Sequence, residues 1–185
     1  MVFVKEPEIP RRMLRGMRLA SRDWAVVAAV SWSCVFAAVH LFWALGGSVG
    51  LASSAGSDLA ARRPPMFVAA GLWGVAVALV AGAAFVGVAA AASMPRRWRR
   101  VMAWMIGLAG LVLLARGVLV EVALAVDAGG VRREVGPHQT WWSLVLWNPW
   151  FMLGGVLFIG AGLAIAKRCS QPTGRAEAAA GLGSR

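Results

Sequence analysis

Four long apolar runs alternate with short polar segments along this chain, at residues 24–45, 66–92, 101–126 and 142–166. Each exceeds the ~20 residues that an α-helix needs to cross ~30 Å of hydrocarbon. Lipid offers the backbone no hydrogen-bond partner, so each run is predicted to be a helix. Breakers punctuate the runs: Gly46-Gly47 ends the first, Pro64-Pro65 precedes the second, Pro95 follows it, and Gly129-Gly130 with Pro137 fill the third gap. The first run is longer than the apolar core of a cleaved signal peptide and is read as a retained span. The expected fold is all-α, a four-helix transmembrane bundle over residues 24–166. Residues 1–23 are expected to form a basic cytoplasmic head and residues 167–185 a disordered cytoplasmic tail.

Composition agrees: 59% of the 185 residues are hydrophobic and 15% charged. The net charge of +11 would fit a nucleic-acid partner, but its distribution does not. Head, second loop and tail hold fourteen Lys and Arg, including Arg96, Arg97, Arg99 and Arg100; the other two loops hold only Arg62, Arg63, Arg132 and Arg133. The positive-inside rule then puts both termini in the cytoplasm, the N-in/C-in arrangement of an even number of spans. Nucleic acid is not an expected partner; the lipid bilayer is. Trp24, Trp98 and Trp104 are expected at the inner interface, and Trp43, Trp141 and Trp142 at the outer one. The head could form an amphipathic helix on the inner leaflet or a solvated topogenic cluster. Arginine in place of lysine and many Ala, Gly and Val residues suit a GC-rich bacterial genome. Cys34 and Cys169 are expected at different depths, which disfavours a disulfide; Cys34 reads as a small apolar residue.

Close helix packing in lipid relies on small residues. Ala25, Ala29, Ser33 and Ala37 form such a stripe on the first helix, and Ala70, Gly74, Ala78 and Gly82 on the second. These two faces are expected to meet each other or other helices of the bundle. Gly107 and Gly110 on the third helix, and Gly154, Gly155, Gly160 and Gly162 on the fourth, suit the same purpose. Such faces are also where a homo-oligomer or a larger membrane complex would form.

The polar residues within the spans share one depth. At 1.5 Å per residue, His40 lies about 24 Å up from Trp24, Arg116 about 22 Å and Glu121 about 30 Å up from Val101, and Asn148 about 9 Å below Trp142. All four fall in the expected outer half. A charge at the bilayer centre costs ~2.5–3.5 kcal/mol even on the lenient insertion scale, so Arg116 should face the bundle. Glu121 is five residues away, about 140° around the helix, an awkward separation for a direct pair. Asn148-Pro149 frees backbone groups nearby.

At "HLFWALGG" and "LWNPWFMLGGVLF" the chain resembles an uncharacterised bacterial family of four-helix membrane proteins, domain of unknown function 3995. The family's His-x-x-Trp-Ala-x-Gly-Gly motif falls on His40, Trp43, Ala44, Gly46 and Gly47, its third-helix arginine on Arg116, and its Pro followed by small residues on Asn148, Pro149, Gly154 and Gly155. The resemblance covers about residues 24–166. Where the family has an acidic residue one turn after the arginine, this chain has Val120, and Glu121 comes one position later. The resemblance implies the topology and an inner-membrane location, and no activity.

Three functions follow. The first is a non-enzymatic membrane subunit or accessory protein in which His40, Arg116, Glu121 and Asn148 hold the helices in register; it predicts tight packing around Arg116 without a cavity. The second is a binding or transport module for a polar or anionic small molecule or lipid headgroup. It predicts a cleft lined by His40, Arg116 and Trp43, with Trp147 and Trp150 as further walls. The third is an enzyme using His40 and Glu121 as acid and base, which requires both within reach of one point. No nucleophile triad, metal cluster or phosphate loop is recognisable, and "GGSVG" lacks a loop lysine, so neither enzymatic activity nor a cofactor is expected.

Overall fold

A computed structural model of the protein describes residues 11–169, with side chains described over 24–168. The disordered tail expected at 167–185 and the head before residue 11 thus lie largely outside the described residues. Eight α-helices occur among the described residues: α1 (Arg11–Ala44), α2 (Leu51–Ala55), α3 (Ser57–Arg62), α4 (Val75–Ala91), α5 (Arg96–Ala125), α6 (Val131–Val135), α7 (Pro137–Trp142) and α8 (Asn148–Cys169). A π-helical segment, Phe67–Gly74, leads into α4, and another, Ser143–Trp147, joins α7 to α8. Four helices are long and apolar enough to cross a membrane: Trp24–Ala44, Phe67–Ala91, Arg96–Ala125 and Pro137–Arg168. The α1 backbone is continuous from Arg11, so residues 11–23 extend the first spanning helix.

The fourth helix opens at Pro137, ahead of the expected start at 142, because Pro137 occupies its first turn, where a missing N–H costs nothing. Pro149, by contrast, lies inside the helix. Its ring would crowd the carbonyl four residues back. The widened turn over Ser143–Trp147 makes room for it, and the helix continues unbroken.

The four helices do not form a closed square. α5 packs most extensively on α8, α8 on α1, and α1 on α4, whereas α4 and α5 scarcely touch although a short turn joins them. Glycines explain the tight α5–α8 seam. A Cβ added to Gly110 would lie 2.7 Å from the Gly155 carbonyl oxygen, and one added to Gly155 would lie 2.7 Å from that of Gly110. Gly162 stands equally close to the Ala103 carbonyl, and Gly117 to Met152. Gly110 and Gly117 are seven residues apart, as are Gly155 and Gly162. Two heptad-spaced pairs thus let the backbones touch.

On α1 the small stripe is buried at Ala29, Ser33 and Ala37. The stripe expected to answer it on the second spanning helix does not: Ala70, Gly74 and Ala78 are exposed. α4 instead buries Ala76, Ala83, Val86 and Ala89, beyond Leu72 of the preceding π segment. Larger side chains fill the space against α1, where Ala29, Trp32, Phe36 and Val86 share one core with Ile106, Phe158 and Ile165. The outward faces are apolar too, with Leu119 at 69% and Leu108 at 62% exposure, as lipid contact requires.

Several arginines that read as topology signals also cap helix ends. Arg63 donates to the carbonyls of Trp43 and Gly47 at the end of α1. Arg132 donates to those of Leu124 and Ala125 at the end of α5. Arg99 and Arg168 donate to Ala92 and Ala90 at the end of α4. The last carbonyls of a helix lack intrahelical donors and carry its negative dipole end, so a guanidinium satisfies both needs.

Candidate functional site

The short helices α2, α3, α6 and α7 cover one end of the bundle, opposite the end from which α1 enters and α8 leaves. Beneath them lies a cavity of about 390 Å³ whose lining includes His40, Arg116, Gln139, Ser143, Asn148 and Phe151. Each comes from a separate local rule. His40 continues the inward stripe of α1: Phe36, His40 and Trp43 are four and three residues apart, one face of a helix. Its Nδ1 donates to the Phe36 carbonyl at 3.0 Å, and its ring stands edge-on to Phe36 and Trp43, with centroids 4.5 and 5.2 Å away. That bond fixes the imidazole and leaves Nε2 with no hydrogen-bond partner among the described residues.

Arg116 reaches the cavity from α5. Its guanidinium lies over the Phe151 ring, 3.7 Å from the centroid. The ion pair of Arg62 with Asp58 lies within α3, and among the described residues no carboxylate comes within ion-pair distance of Arg116. It is exposed and lines the cavity. Glu121 does not serve as its counter-ion. The carboxylate instead accepts a hydrogen bond from Asn148 Nδ2 at 3.0 Å, linking α5 to α8. Asn148 is 1% exposed. The five-residue offset that disfavours an Arg116–Glu121 pair turns Glu121 toward α8.

The polar residues thus separate into two groups, an Asn148–Glu121 bond between helices and a His40–Arg116 pair of open groups facing a cavity. Trp43 belongs to neither, and its side chain is turned into the protein and not outward as an interface anchor would be. It is 2% exposed, packs with Leu51 and Leu72, and donates Nε1 to the Val49 carbonyl at 2.8 Å. The loop after α1 folds back over it, so an aromatic at a helix end becomes core. Trp147 does line the cavity, while Trp150 stacks on Trp32 at 5.7 Å.

Gln139 and Ser54 escape a reading confined to apolar runs, because both lie in segments that read as connections. Gln139 donates to the Ser54 carbonyl at 3.2 Å and Trp147 to Ser53 Oγ at 3.3 Å, tying α7 and the fourth span to α2. Gly56 and Gly136 make this roof possible. Both precede short helices with φ of 90° and 83°, where a side chain would be strained. Phe151 left a legible trace: it follows Asn148 by three residues and so shares its helix face. Among the described residues no group of three or more His, Cys, Asp or Glu could hold a metal.

No curated protein and no solved structure matches the chain. Residues 33–158 match the model of a family described as protein of unknown function (DUF3995). The match takes in His40, Arg116, Asn148 and Phe151 together with the loops that roof the cavity, and stops short of the ends of the first and last spans. With more than half of its length matched, this chain belongs to the DUF3995 family.

Proposed function

We propose that this protein is a non-catalytic multi-pass membrane protein that binds an anionic or polar group in the cavity beneath α6 and α7. The observation that carries the reading is Arg116: a guanidinium stacked on Phe151, without a carboxylate partner, facing about 390 Å³ of space beside His40. A guanidinium at that depth costs several kcal/mol unless an anion or water meets it. A cluster serving only to hold helices in register would close around the charge. The Asn148–Glu121 bond suits that structural role, and the His40–Arg116 pair suits recognition. An acid–base pairing of His40 with Glu121 is disfavoured, because Glu121 is engaged by Asn148 and does not line the cavity.

The same reading places the protein in the inner membrane of a bacterium, with both ends cytoplasmic and the cavity outward. The excess of basic residues near the termini supports it.

The test uses a single cysteine at Ser143, on the cavity wall, with Cys34 and Cys169 replaced. Arg116 should make an anionic sulfonate thiol reagent react faster than a cationic ammonium reagent by about tenfold, the effect of ~1.4 kcal/mol of local attraction. Arg116→Gln should erase the preference. Equal rates for the two reagents with Arg116 in place would refute the anion site.

A further inference from the structure

We infer that the occupant is an anionic membrane lipid, its headgroup at Arg116 and an acyl chain lying in the crevice between α4 and α5. This rests on the anion-site reading and adds the identity of the ligand. The sparse contact between α4 and α5 leaves a space of about 710 Å³. Ala78, Leu79 and Gly82 form one lip, Leu108, Ala109 and Val112 the other, and Trp32 and Phe158 lie on the floor. Every side chain on these lips is apolar. Small residues on the α4 lip keep it open: the stripe Ala78–Gly82, which does not serve helix packing, here makes room. The stretch of α1 along the floor, from Trp32 to His40, spans about 12 Å.

The crevice and the polar cavity adjoin and share part of their walls. Phe36, His40 and Phe151 line both. Phe151 is the ring that carries the Arg116 guanidinium. A molecule filling both spaces is therefore apolar over most of its length and anionic at one end, and it enters sideways from the bilayer between exposed Ala78 and Ala109. Charge complementarity selects an anionic lipid over a zwitterionic one. A free anion would leave the apolar crevice empty.

The test reconstitutes the full chain in vesicles containing either a phosphatidylglycerol or a phosphatidylcholine with a mid-chain diazirine. After illumination, crosslinked peptides are mapped. The phosphatidylglycerol should label residues 75–82 and 105–112 about fivefold more than the phosphatidylcholine, the effect of one basic residue on an anionic headgroup. Arg116→Gln should bring the two lipids level. Ala78→Phe and, independently, Ala109→Phe should remove the crevice label while sparing label elsewhere; both residues are exposed, and having two variants guards against one misfolding. Label spread evenly over all lipid-facing helices, equal for both lipids and indifferent to both Phe variants, would overturn the lipid assignment. The Ser143 reagent preference separates the failures: if it survives, only the ligand's identity falls, and if it too is lost, the anion site falls with it.

Discussion

Gly155→Leu prevents accumulation of the folded protein, and Gly155→Ala lowers its unfolding temperature in detergent. The Cβ of the smaller variant already meets the Gly110 carbonyl oxygen, Leu114 Cβ and the Leu114 amide nitrogen, all at 2.7 Å. Two of these are backbone atoms of a straight helix, which cannot turn aside as a side-chain tip would. Overpacking of this kind costs ~1–3 kcal/mol. The seam also cannot be relieved by sliding, because Gly110, Gly117 and Gly162 lock it at further points. Gly87→Ala is the control. Nothing lies within 4 Å of the added carbon, so the variant should gain helix propensity of up to ~1 kcal/mol and lose nothing. The amount of folded protein recovered reads the leucine variant, and thermal unfolding followed by circular dichroism compares the two alanine variants. Equal stability of Gly155→Ala and Gly87→Ala would remove the glycine seam from the account.

Asn148→Leu comes second, with an expected loss of ~1–3 kcal/mol. Leucine keeps the volume of a residue that is 1% exposed but removes the donor to Glu121. The carboxylate then loses that donor in a region where water is scarce. Glu121→Gln should be far milder, since the amide oxygen still accepts from Asn148 Nδ2. The double variant Asn148→Leu with Glu121→Leu should recover part of the loss, because no polar group is left stranded. Stability of all three in the same detergent decides the matter. If Glu121→Gln cost as much as Asn148→Leu, the pair would owe its strength to charge and not to the donor.

The spans were readable because the bilayer imposes a simple constraint: long apolar runs have one way to satisfy their backbones. The shared depth of His40, Arg116 and Asn148 followed from helix rise alone, and the cavity draws on all three. Facing was harder. Spacing shows that Ala70, Gly74, Ala78 and Gly82 share a side of their helix, but both sides of a lipid-embedded helix are apolar, and only the three-dimensional packing assigns Ala78 to a crevice. The burial of Trp43 was illegible for a similar reason: a tryptophan at a helix end looks the same in sequence whether a loop covers it or lipid does. The roof over the cavity lay in segments whose glycines and prolines read as breakers, while Gly56 and Gly136 in fact allow short helices to follow one another. Arginine capping of α1, α4 and α5 was hidden because the same residues satisfy a topology count.

The central claim is an outward-open aqueous cavity holding Arg116. It is tested most directly by placing a single cysteine at position 116, in a background without Cys34 and Cys169, and treating intact cells with a membrane-impermeant thiol reagent. Ser57→Cys, at an exposed position at the start of α3, serves as the positive control. The account predicts that position 116 is labelled, more slowly than position 57, and that filling the cavity wall with Ser143→Trp suppresses the reaction. Labelling at 57 with none at 116, in protein shown to be folded, would contradict the cavity and leave Arg116 enclosed by its neighbours.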